Sequence, residues 1–210
     1  MSNSARAHRG LLLVISSPSG AGKTSLARRL IAEFAQLELS VSATTRAPRP
    51  GEQSGTDYHF MDPEEFDRRV DNREFVEHAS YSGSRYGTLR SELERRLRNG
   101  VPVVLEIEVQ GARQVREAMP EALAVFIAPP SREALRARLV GRGTDTPEQI
   151  ERRMETAERE LEAQPEFAHV VINDRLEQAT AELEQIVRRG LEGKDCGAAN
   201  LRAPDGGLTK

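Results

Sequence analysis

The chain has 210 residues, of which 38% are hydrophobic and 30% are charged, and this length suits one good-sized domain with or without inserted subdomains. Its formal net charge of −3 comes from 30 basic and 33 acidic residues, so the overall balance gives no reason to expect a nucleic acid or a membrane as a partner. The single cysteine, Cys196, excludes an internal disulfide and a cysteine metal site, and we expect the protein to be cytoplasmic.

The first predicted element is a buried strand over Leu11–Ile15, an apolar run far too short to span a membrane. Shortly after it comes the sequence Ser17-Pro18-Ser19-Gly20-Ala21-Gly22-Lys23-Thr24. It matches the phosphate-binding pattern G-x-x-x-x-G-K-[ST] except at its first position, where Ser17 replaces glycine. A Gly/Ser-rich turn that merely joins a strand to a helix is the alternative. The order of strand, loop and helix favours the binding of a nucleoside triphosphate.

Each residue type in this loop has a chemical purpose. Gly20 and Gly22 let the backbone turn its N–H groups toward phosphate oxygens. Lys23 adds a positive charge, and Thr24 can place its hydroxyl on Mg²⁺. The helix predicted to begin at Thr24 points its positive end at the same anion. We therefore expect these residues to bind a nucleoside triphosphate, with Thr24 as the metal-binding residue and Mg²⁺ as the cofactor.

The middle of the chain is predicted to contain shorter elements. A weakly alternating segment at 40–44 predicts a second strand, and the Pro- and Gly-containing segment 45–57 predicts a long shaped loop. A short strand follows at 58–61, and Asp62 with Pro63 marks the start of a helix. Strands are predicted at 75–81 and 85–88, joined by a turn at Ser82-Gly83, and a helix at 89–98.

Buried strands then alternate with helices. Apolar runs predict strands at 101–107, 122–128 and 168–173. Helices are predicted at 110–119 and 176–191, after the cap Ser131, and after Thr146, where a capping box opens a long helix. This alternation predicts an α/β fold, a parallel sheet with helices on both faces.

We expect the sheet to carry two insertions that overhang the phosphate loop. The core is assigned to residues 11–40, 91–133 and 165–192. A mixed α/β subdomain is assigned to 41–90, where the strands are short and antiparallel in appearance, and an Arg-rich helical lid to 134–164. Residues 1–10 are expected to be flexible, and the Gly-rich tail 193–210 is expected to be disordered.

The inserted subdomain carries a specific signature. Arg46 and Arg49 project from a proline-stiffened loop, an arrangement that suits the clamping of an oxyanion. The full segment is Thr44-Thr45-Arg46-Ala47-Pro48-Arg49-Pro50-Gly51-Glu52-Gln53-Ser54-Gly55-Thr56-Asp57-Tyr58-His59-Phe60. It closely resembles the signature of guanylate kinases, in particular the free-standing bacterial type, and the resemblance extends over about Leu11 to Arg188. That family has a P-loop nucleoside monophosphate kinase fold and transfers a phosphoryl group from ATP to GMP, giving ADP and GDP.

The resemblance also implies a role for individual residues. The phosphate of GMP would be held by Arg46, Arg49, Tyr58 and Tyr86. Guanine would be recognised by Ser42, Glu77 and Thr88. The transferred phosphoryl group would be covered by the lid arginines Arg138, Arg142 and Arg153. Asn173 would lie near the adenine of ATP. With Lys23 and Arg46, the three lid arginines form the expected catalytic set, and dGMP is expected to be accepted like GMP.

Chemistry independent of the family supports some of these roles. Guanine presents N1–H and N2–H₂ side by side, which one carboxylate such as Glu77 can accept together, while Ser42 or Thr88 can donate to O6. Without the resemblance, Glu77 would be interpreted as an ordinary exposed glutamate on an alternating strand. A site of this kind can discriminate strongly against AMP, which lacks the N1–H.

Helical spacing distinguishes two of the lid arginines from their neighbours. Arg138 falls close to the apolar stripe of its helix and Arg153 falls beside that of the next, whereas Arg136 and Arg152 point elsewhere. This pattern favours a functional role for the two arginines, although aliphatic packing of the arginine stems would produce the same pattern. The spacing argument does not reach Arg142, because Gly141 ends the helix.

Two glutamates end the strand predicted next to the phosphate loop. Glu106 and Glu108 stand where a carboxylate can act on the Mg²⁺ shell or on the second nucleotide, and the related proteins usually have aspartate at one or both positions. Both are therefore included among the residues that bind GMP. Which of them reaches guanine, and which the metal's waters, stays open at this point.

Two other functions remain open from the sequence. Some guanylate kinase-like domains have lost catalysis and bind peptides, but the intact Gly22-Lys23-Thr24 favours an enzyme. A P-loop kinase for another acceptor is the second alternative, and the Arg46–Phe60 pattern argues against it. We expect ATP and GMP as small-molecule partners. Whether the chain is a monomer or a homo-oligomer is open.

Overall fold

A computed structural model describes residues 9–193 of the protein, except residues 82, 142 and 144. The expectations for the tail beyond Gly193, for Cys196 and for Arg142 lie outside the described residues, as do those for residues 1–8 and Ser82. Gly10, which belongs to the segment expected to be flexible, donates its backbone N–H to Leu97 O at 2.7 Å.

The described elements follow one another in an order close to that predicted. They are β1 (Leu12–Ser16), α1 (Lys23–Glu33), β2 (Glu38–Leu39), β3 (Ala43–Thr44), β4 (His59–Phe60), α2 (Pro63–Asp71), β5 (Phe75–Tyr81), β6 (Ser84–Leu89), α3 (Arg90–Arg98), β7 (Val103–Ile107), α4 (Val109–Ala118), β8 (Leu123–Ala128), α5 (Arg132–Val140), α6 (Pro147–Leu161), β9 (His169–Ile172) and α7 (Leu176–Leu191). None of the described helices has both the length and the apolar character that a membrane-spanning segment needs.

The core is a five-stranded parallel sheet in the order β2-β7-β1-β8-β9. Successive side chains of β1 pack in hydrophobic clusters on opposite faces of the sheet, as the pleat of a strand requires. Leu12 and Val14 pack with residues of α3 and α4, whereas Leu13 and Ile15 pack with residues of α1 and α7. Helices therefore cover both faces, and the predicted fold class is confirmed.

The strand predicted at 40–44 is wrong as a single element, because the chain leaves the core sheet within it. β2 pairs with β7 in the core, and Ser40 N–H donates to Val104 O at 2.9 Å. β3 pairs instead with β4 and β6 in a second sheet, where Ser42 O accepts from His59 N–H at 2.9 Å. An alternating pattern shows that residues are extended, but it does not say which sheet they join.

The second sheet has the order β4-β3-β6-β5 and lies in the inserted segment. Its β3–β4 pair is parallel and its other pairs are antiparallel, so the expectation of antiparallel strands is only partly right. Phe66 of α2 packs against Ala43 and Phe75 of this sheet. α2 begins as predicted, with the side chain of Asp62 accepting from Glu65 N–H at 2.7 Å.

The predicted strand at 168–173 is confirmed in position but is not fully buried. β9 is the edge strand of the core sheet, with β8 as its neighbour, and Ile172 is 46% exposed. An apolar run does not distinguish a central strand from an edge strand with an apolar outer residue.

The segment predicted as a lid forms two helices with a small core of their own. Its buried residues are Leu135, Leu139, Ile150, Met154 and Ala157. α6 opens with the predicted capping box at Thr146. The lid helices lie directly on the phosphate loop, since a Cβ added to Gly20 would come within 2.9 Å of Leu139 Cδ2.

Candidate active site

The loop between β1 and α1 has the backbone that phosphate binding requires. Gly20 and Gly22 have φ values of 94° and 97°, in the region that L side chains rarely adopt. A side chain at Gly22 would also collide with Nδ2 of Asn173. Gly22 caps α1, whose first N–H groups lack carbonyl partners within the helix and can therefore bind an anion. Ser17 is buried and donates its hydroxyl to Pro18 O at 3.0 Å, so its side chain supports the loop itself.

The two reactive side chains of the loop meet the glutamates that end β7. Lys23 Nζ donates to Ile107 O at 2.9 Å and pairs with Glu108 Oε1 at 3.1 Å. Thr24 Oγ1 donates to Glu106 Oε2 at 2.9 Å. Because β1 and β7 are parallel neighbours, their carboxyl ends form one edge, where α/β proteins place their ligands. Glu106 thus lies on the side of Thr24, the residue predicted to bind the metal, and Glu108 lies on the side of Lys23.

The donor set at Thr24 fits the predicted magnesium ion. A hydroxyl and a carboxylate oxygen are hard ligands of the kind that Mg²⁺ prefers, and Mg²⁺ typically takes only one or two protein ligands besides phosphate oxygens and water. The bond between Thr24 and Glu106 keeps both oxygens side by side. A cavity of about 210 Å³ adjoins them, lined by the loop, Glu108 and Arg153.

Three of the four residues expected to hold the acceptor phosphate form one group. The guanidinium of Arg46 lies 5.2 Å from the ring centroid of Tyr58, and the Tyr58 and Tyr86 rings are 6.1 Å apart. The hydrogen bond with Glu52 raises the pKa of the Arg46 guanidinium, and Tyr86 adds to this rise. Arg49 is exposed, and its backbone N–H donates to Glu52 Oε2 at 2.7 Å.

Glu52 organises this group, a role that sequence reasoning did not assign to it. Its Oε1 accepts from Arg46 Nη2 at 2.9 Å while its Oε2 accepts from the backbone of Arg49. The Arg46 guanidinium holds the pKa of Glu52 below its usual range. The position of Glu52 inside the signature was the only available signal.

The predicted guanine-recognising residues also lie together. Glu77 is 5% exposed, and its Oε1 accepts from Thr88 Oγ1 at 2.7 Å. A β-bulge between Phe75 and Glu77 brings Glu77 opposite Thr88. The β3–β6 register pairs Ala43 with Gly87, so Ser42 stands next to Thr88.

The Glu77 carboxylate is in an apolar setting close to the phosphate loop. Burial raises its pKa, whereas the bonds from Thr88 and the charge of Lys23 lower it. A Cβ on Gly111 of α4 would come within 2.8 Å of Glu77 Oε2, so a glycine there leaves room for the carboxylate. One cavity is lined both by Ser19 of the loop and by Ala79 and Ser80 of the subdomain, so the two face one cleft.

Two lid arginines reach the phosphate loop. Arg138 Nη2 donates to Asn173 O at 2.6 Å, and its Nη1 lies 3.4 Å from Ala21 O. Arg153 Nη2 donates to Ser19 Oγ at 2.8 Å. Their neighbour Arg136 instead forms an exposed ion pair with Glu151. Arg138 and Arg153 thus face the loop while Arg136 faces away from it, as the helical spacing predicts.

Asn173 is buried against the loop. Its Nδ2 donates to Ala21 O at 2.7 Å, next to the Cα of Gly22. Its backbone carbonyl accepts from Arg138. The residue therefore braces the phosphate loop, and its expected proximity to adenine stays a prediction.

Comparisons with known proteins agree with this geometry. The sequence model of a family described as guanylate kinase matches residues 9–190. A guanylate kinase of Chromohalobacter salexigens is 51% identical over 179 residues, which are 85% of this chain and 83% of that protein. A guanylate kinase of Streptomyces coelicolor is 51% identical over 175 residues, 83% of this chain and 89% of that protein. The crystal structure of guanylate kinase from Anaplasma phagocytophilum superposes with a TM-score of 0.68 at 33% identity, covering 92% of this chain and 90% of that one.

Proposed function

The chain belongs to the guanylate kinase family, and we propose that it transfers a phosphoryl group from ATP to GMP, giving ADP and GDP. One observation carries this proposal beyond family membership. The cleft holds an intact phosphate loop on one side and a buried, hydroxyl-paired carboxylate, Glu77, on the other. The loop serves the donor, and the buried carboxylate suits a base with adjacent N–H donors.

Guanine would be selected by the pairing of its donors. Glu77 already accepts from Thr88, and a carboxylate has further lone pairs that can accept N1–H and N2–H₂ of guanine. Ser42, beside Thr88, can donate to O6. AMP would leave the lone pairs of the buried carboxylate that face the base without a donor, which costs about 1–3 kcal/mol or more for a charged group. The same contacts are available to dGMP, because none of them involves the ribose.

The acceptor phosphate would lie against Arg46, Tyr58 and Tyr86. Glu52 and the two rings fix the Arg46 guanidinium before any substrate binds, so little side-chain entropy is lost on binding. Arg49 is exposed, and its guanidinium would close over the phosphate from the surface.

The donor phosphates would lie on the loop between Lys23 and the lid arginines. Lys23 exchanges its bond with Glu108 for phosphate oxygens, and Arg138 and Arg153 exchange their bonds to the loop in the same way. Mg²⁺, held through Thr24 with Glu106 nearby, would supply positive charge that neutralises the triphosphate. Transfer of this kind is in line and needs alignment and charge neutralisation rather than a covalent intermediate.

We also propose that the segments 41–90 and 134–164 act as movable subdomains. Each has a hydrophobic cluster of its own, and each also contributes one buried residue, Val76 or Ala163, to a cluster on the core sheet. Closing both over the loop would exclude water, which otherwise competes with GMP for the phosphoryl group.

An acceptor panel tests the function directly. Purified protein with ATP and Mg²⁺ is offered GMP, dGMP, IMP, AMP, CMP and UMP in separate reactions, with Lys23→Ala as the inactive control. We expect turnover of GMP and dGMP, and a loss of most of the rate in Lys23→Ala. Equal turnover of AMP and GMP would refute the guanine assignment, and no turnover of any acceptor would favour a peptide-binding module.

A further inference from the structure

The side chain of Gln114, on α4, binds the backbone of the strand that carries Glu77. Its Oε1 accepts from His78 N–H at 3.0 Å, and its Nε2 donates to His78 O at 2.8 Å. β5 is an edge strand of the second sheet, with β6 as its neighbour there. The Gln114 amide therefore takes the place that a peptide group of a further strand would have, and it pairs both backbone groups of His78.

The residue before Glu77 is tied to the core as well. Val76 is buried and belongs to the hydrophobic cluster on the core sheet that also contains Val115 of α4. Glu77 thus stands between one residue that packs in this cluster and one that is hydrogen-bonded to α4. Although Glu77 is part of the inserted segment 41–90, the chain on both sides of it is attached to the core.

The same side of α4 confines the carboxylate of Glu77. Gly111 and Gln114 are three residues apart and therefore lie on one side of the helix. A Cβ on Gly111 would come within 2.8 Å of Glu77 Oε2, so the helix backbone limits the position of that oxygen. The other oxygen, Oε1, accepts from Thr88 Oγ1 at 2.7 Å. The separation of α4 and β5 therefore decides where Glu77 directs its remaining lone pairs.

We propose that Gln114 is a positioning residue for base recognition. Its two bonds to His78 hold β5 at the distance from α4 at which the Glu77 carboxylate meets the N–H donors of guanine. This inference rests on the proposed function, because it concerns the acceptor side of the same cleft. A carboxylate displaced by about 1 Å would lose the short, linear geometry that hydrogen bonds to the base require.

Two variants of Gln114 and one control test this role. Gln114→Met keeps the length of the side chain and removes both bonds to His78, whereas Gln114→Glu keeps the acceptor and loses the donor. Glu117→Ala, at an exposed position of the same helix, is the matched control. For each protein, Kd for GMP is measured by titration calorimetry, together with KM for ATP, kcat/KM for GMP and for AMP, and the melting temperature.

We expect Gln114→Met to raise Kd for GMP and to lower kcat/KM for GMP roughly tenfold, because the carboxylate is no longer held in place. KM for ATP and kcat/KM for AMP should stay within about twofold of the parent, because neither nucleotide uses Glu77. The loss in Gln114→Glu should lie between those of Gln114→Met and the parent, and Glu117→Ala should resemble the parent in all constants.

A double-mutant cycle with Glu77→Ala separates positioning from a purely structural role, in which Gln114 only pairs the backbone at the edge of the sheet. A residue that acts through Glu77 has no further effect once that carboxylate is removed. Gln114→Met should therefore change kcat/KM for GMP by less than about twofold when it is added to Glu77→Ala.

Three results would overturn the inference. They are an unchanged Kd for GMP in folded Gln114→Met, an equal loss with GMP and AMP, and an equal effect of Gln114→Met with and without Glu77. If Gln114→Met does not fold, Gln114→Glu replaces it in the cycle. A parent that binds GMP but transfers no phosphoryl group to it would contradict the proposed function, and Kd for GMP would then test the inference in the same variants.

Discussion

Glu77→Gln is the substitution that most directly probes recognition of the acceptor base. The new amide side chain would keep the size of the old one and one acceptor for Thr88 Oγ1, which lies 2.7 Å from Glu77 Oε1. It would also turn an NH₂ group toward the paired N–H donors of guanine. We expect the loss of a charge-assisted hydrogen bond, about 1.5–3 kcal/mol, together with one unpaired buried donor, about 1–3 kcal/mol.

These two terms together predict a fall in kcat/KM for GMP of roughly 10²–10⁴-fold, since every 1.4 kcal/mol is a factor of ten. The low rate with AMP should not fall, because adenine never used the carboxylate. The melting temperature should stay equal to that of the parent or rise, since burial already penalises the charge of Glu77.

Steady-state kinetics with GMP and AMP provides the assay, and Glu74→Gln is the matched control. Glu74 stands three residues earlier on the same subdomain, with its side chain 42% exposed and paired with Arg69. The control should behave as the parent. A fall of less than about fivefold in Glu77→Gln, or an equal fall for both acceptors, would refute this account of base recognition.

The dependence on pH follows from the same carboxylate. Burial raises the pKa of Glu77 in the free protein, and guanine donors favour its ionised form. The affinity for GMP should therefore rise with pH through the pKa of Glu77 and fall on acidification. In Glu77→Gln this dependence should be absent, which KM measurements across a pH series would show.

Three further predictions follow from the lid and the loop. Arg138→Ala should lower kcat at least about 100-fold, because the guanidinium of Arg138 reaches the loop. In the control Arg136→Ala, on the same helix, kcat should stay within about twofold of the parent. Equal losses of kcat in steady-state assays would contradict this difference between the two arginines. Glu160→Gln should be more stable than the parent by about 1–2 kcal/mol at about pH 8, after allowance for solvent screening, and equal to it at about pH 5. The sign follows because burial and the like charge of Glu108 raise the pKa of Glu160 from 4.5 to about 7, so the folded state keeps its proton in that window and stability falls as pH rises through it; denaturant titrations at both pH values check this. Gly22→Ala should abolish binding of an ATP analogue and lower the free energy of unfolding by more than about 1 kcal/mol. The reason is that φ of Gly22 is 97° and that the new Cβ would collide with Asn173. Normal binding in a folded variant would contradict this prediction.

The core of the fold was predictable because its strands are buried on both faces. Runs such as Leu123–Ala128 are continuous and apolar, and helical patterns separate them, which leaves few topologies open. The strand pattern did not show the crossing from β2 to β3, although the division assigned between residues 40 and 41 falls inside it. The chain is extended on both sides of the crossing. Only the backbone hydrogen bonds of Ser40 and Ser42 show where one sheet ends and the other begins.

The site was predictable where a residue type is demanded by chemistry at a fixed spacing. Gly22 and Lys23 are required by phosphate, and the apolar stripe of each lid helix marked the side on which Arg138 and Arg153 lie. Gln114 offered no such signal. Its partner His78 lies 36 residues away in the sequence, and no local pattern reports a contact of that kind.

The chain's assignment as a kinase for GMP is tested most directly by following the transferred group. ATP labelled on its γ-phosphate is added with Mg²⁺ to the purified protein in the presence of equal amounts of GMP and AMP, and the products are separated. We predict that the label appears in GDP, with the labelled ADP from AMP lower by several powers of ten. Label divided equally between GDP and ADP, or released only as inorganic phosphate, would contradict the account.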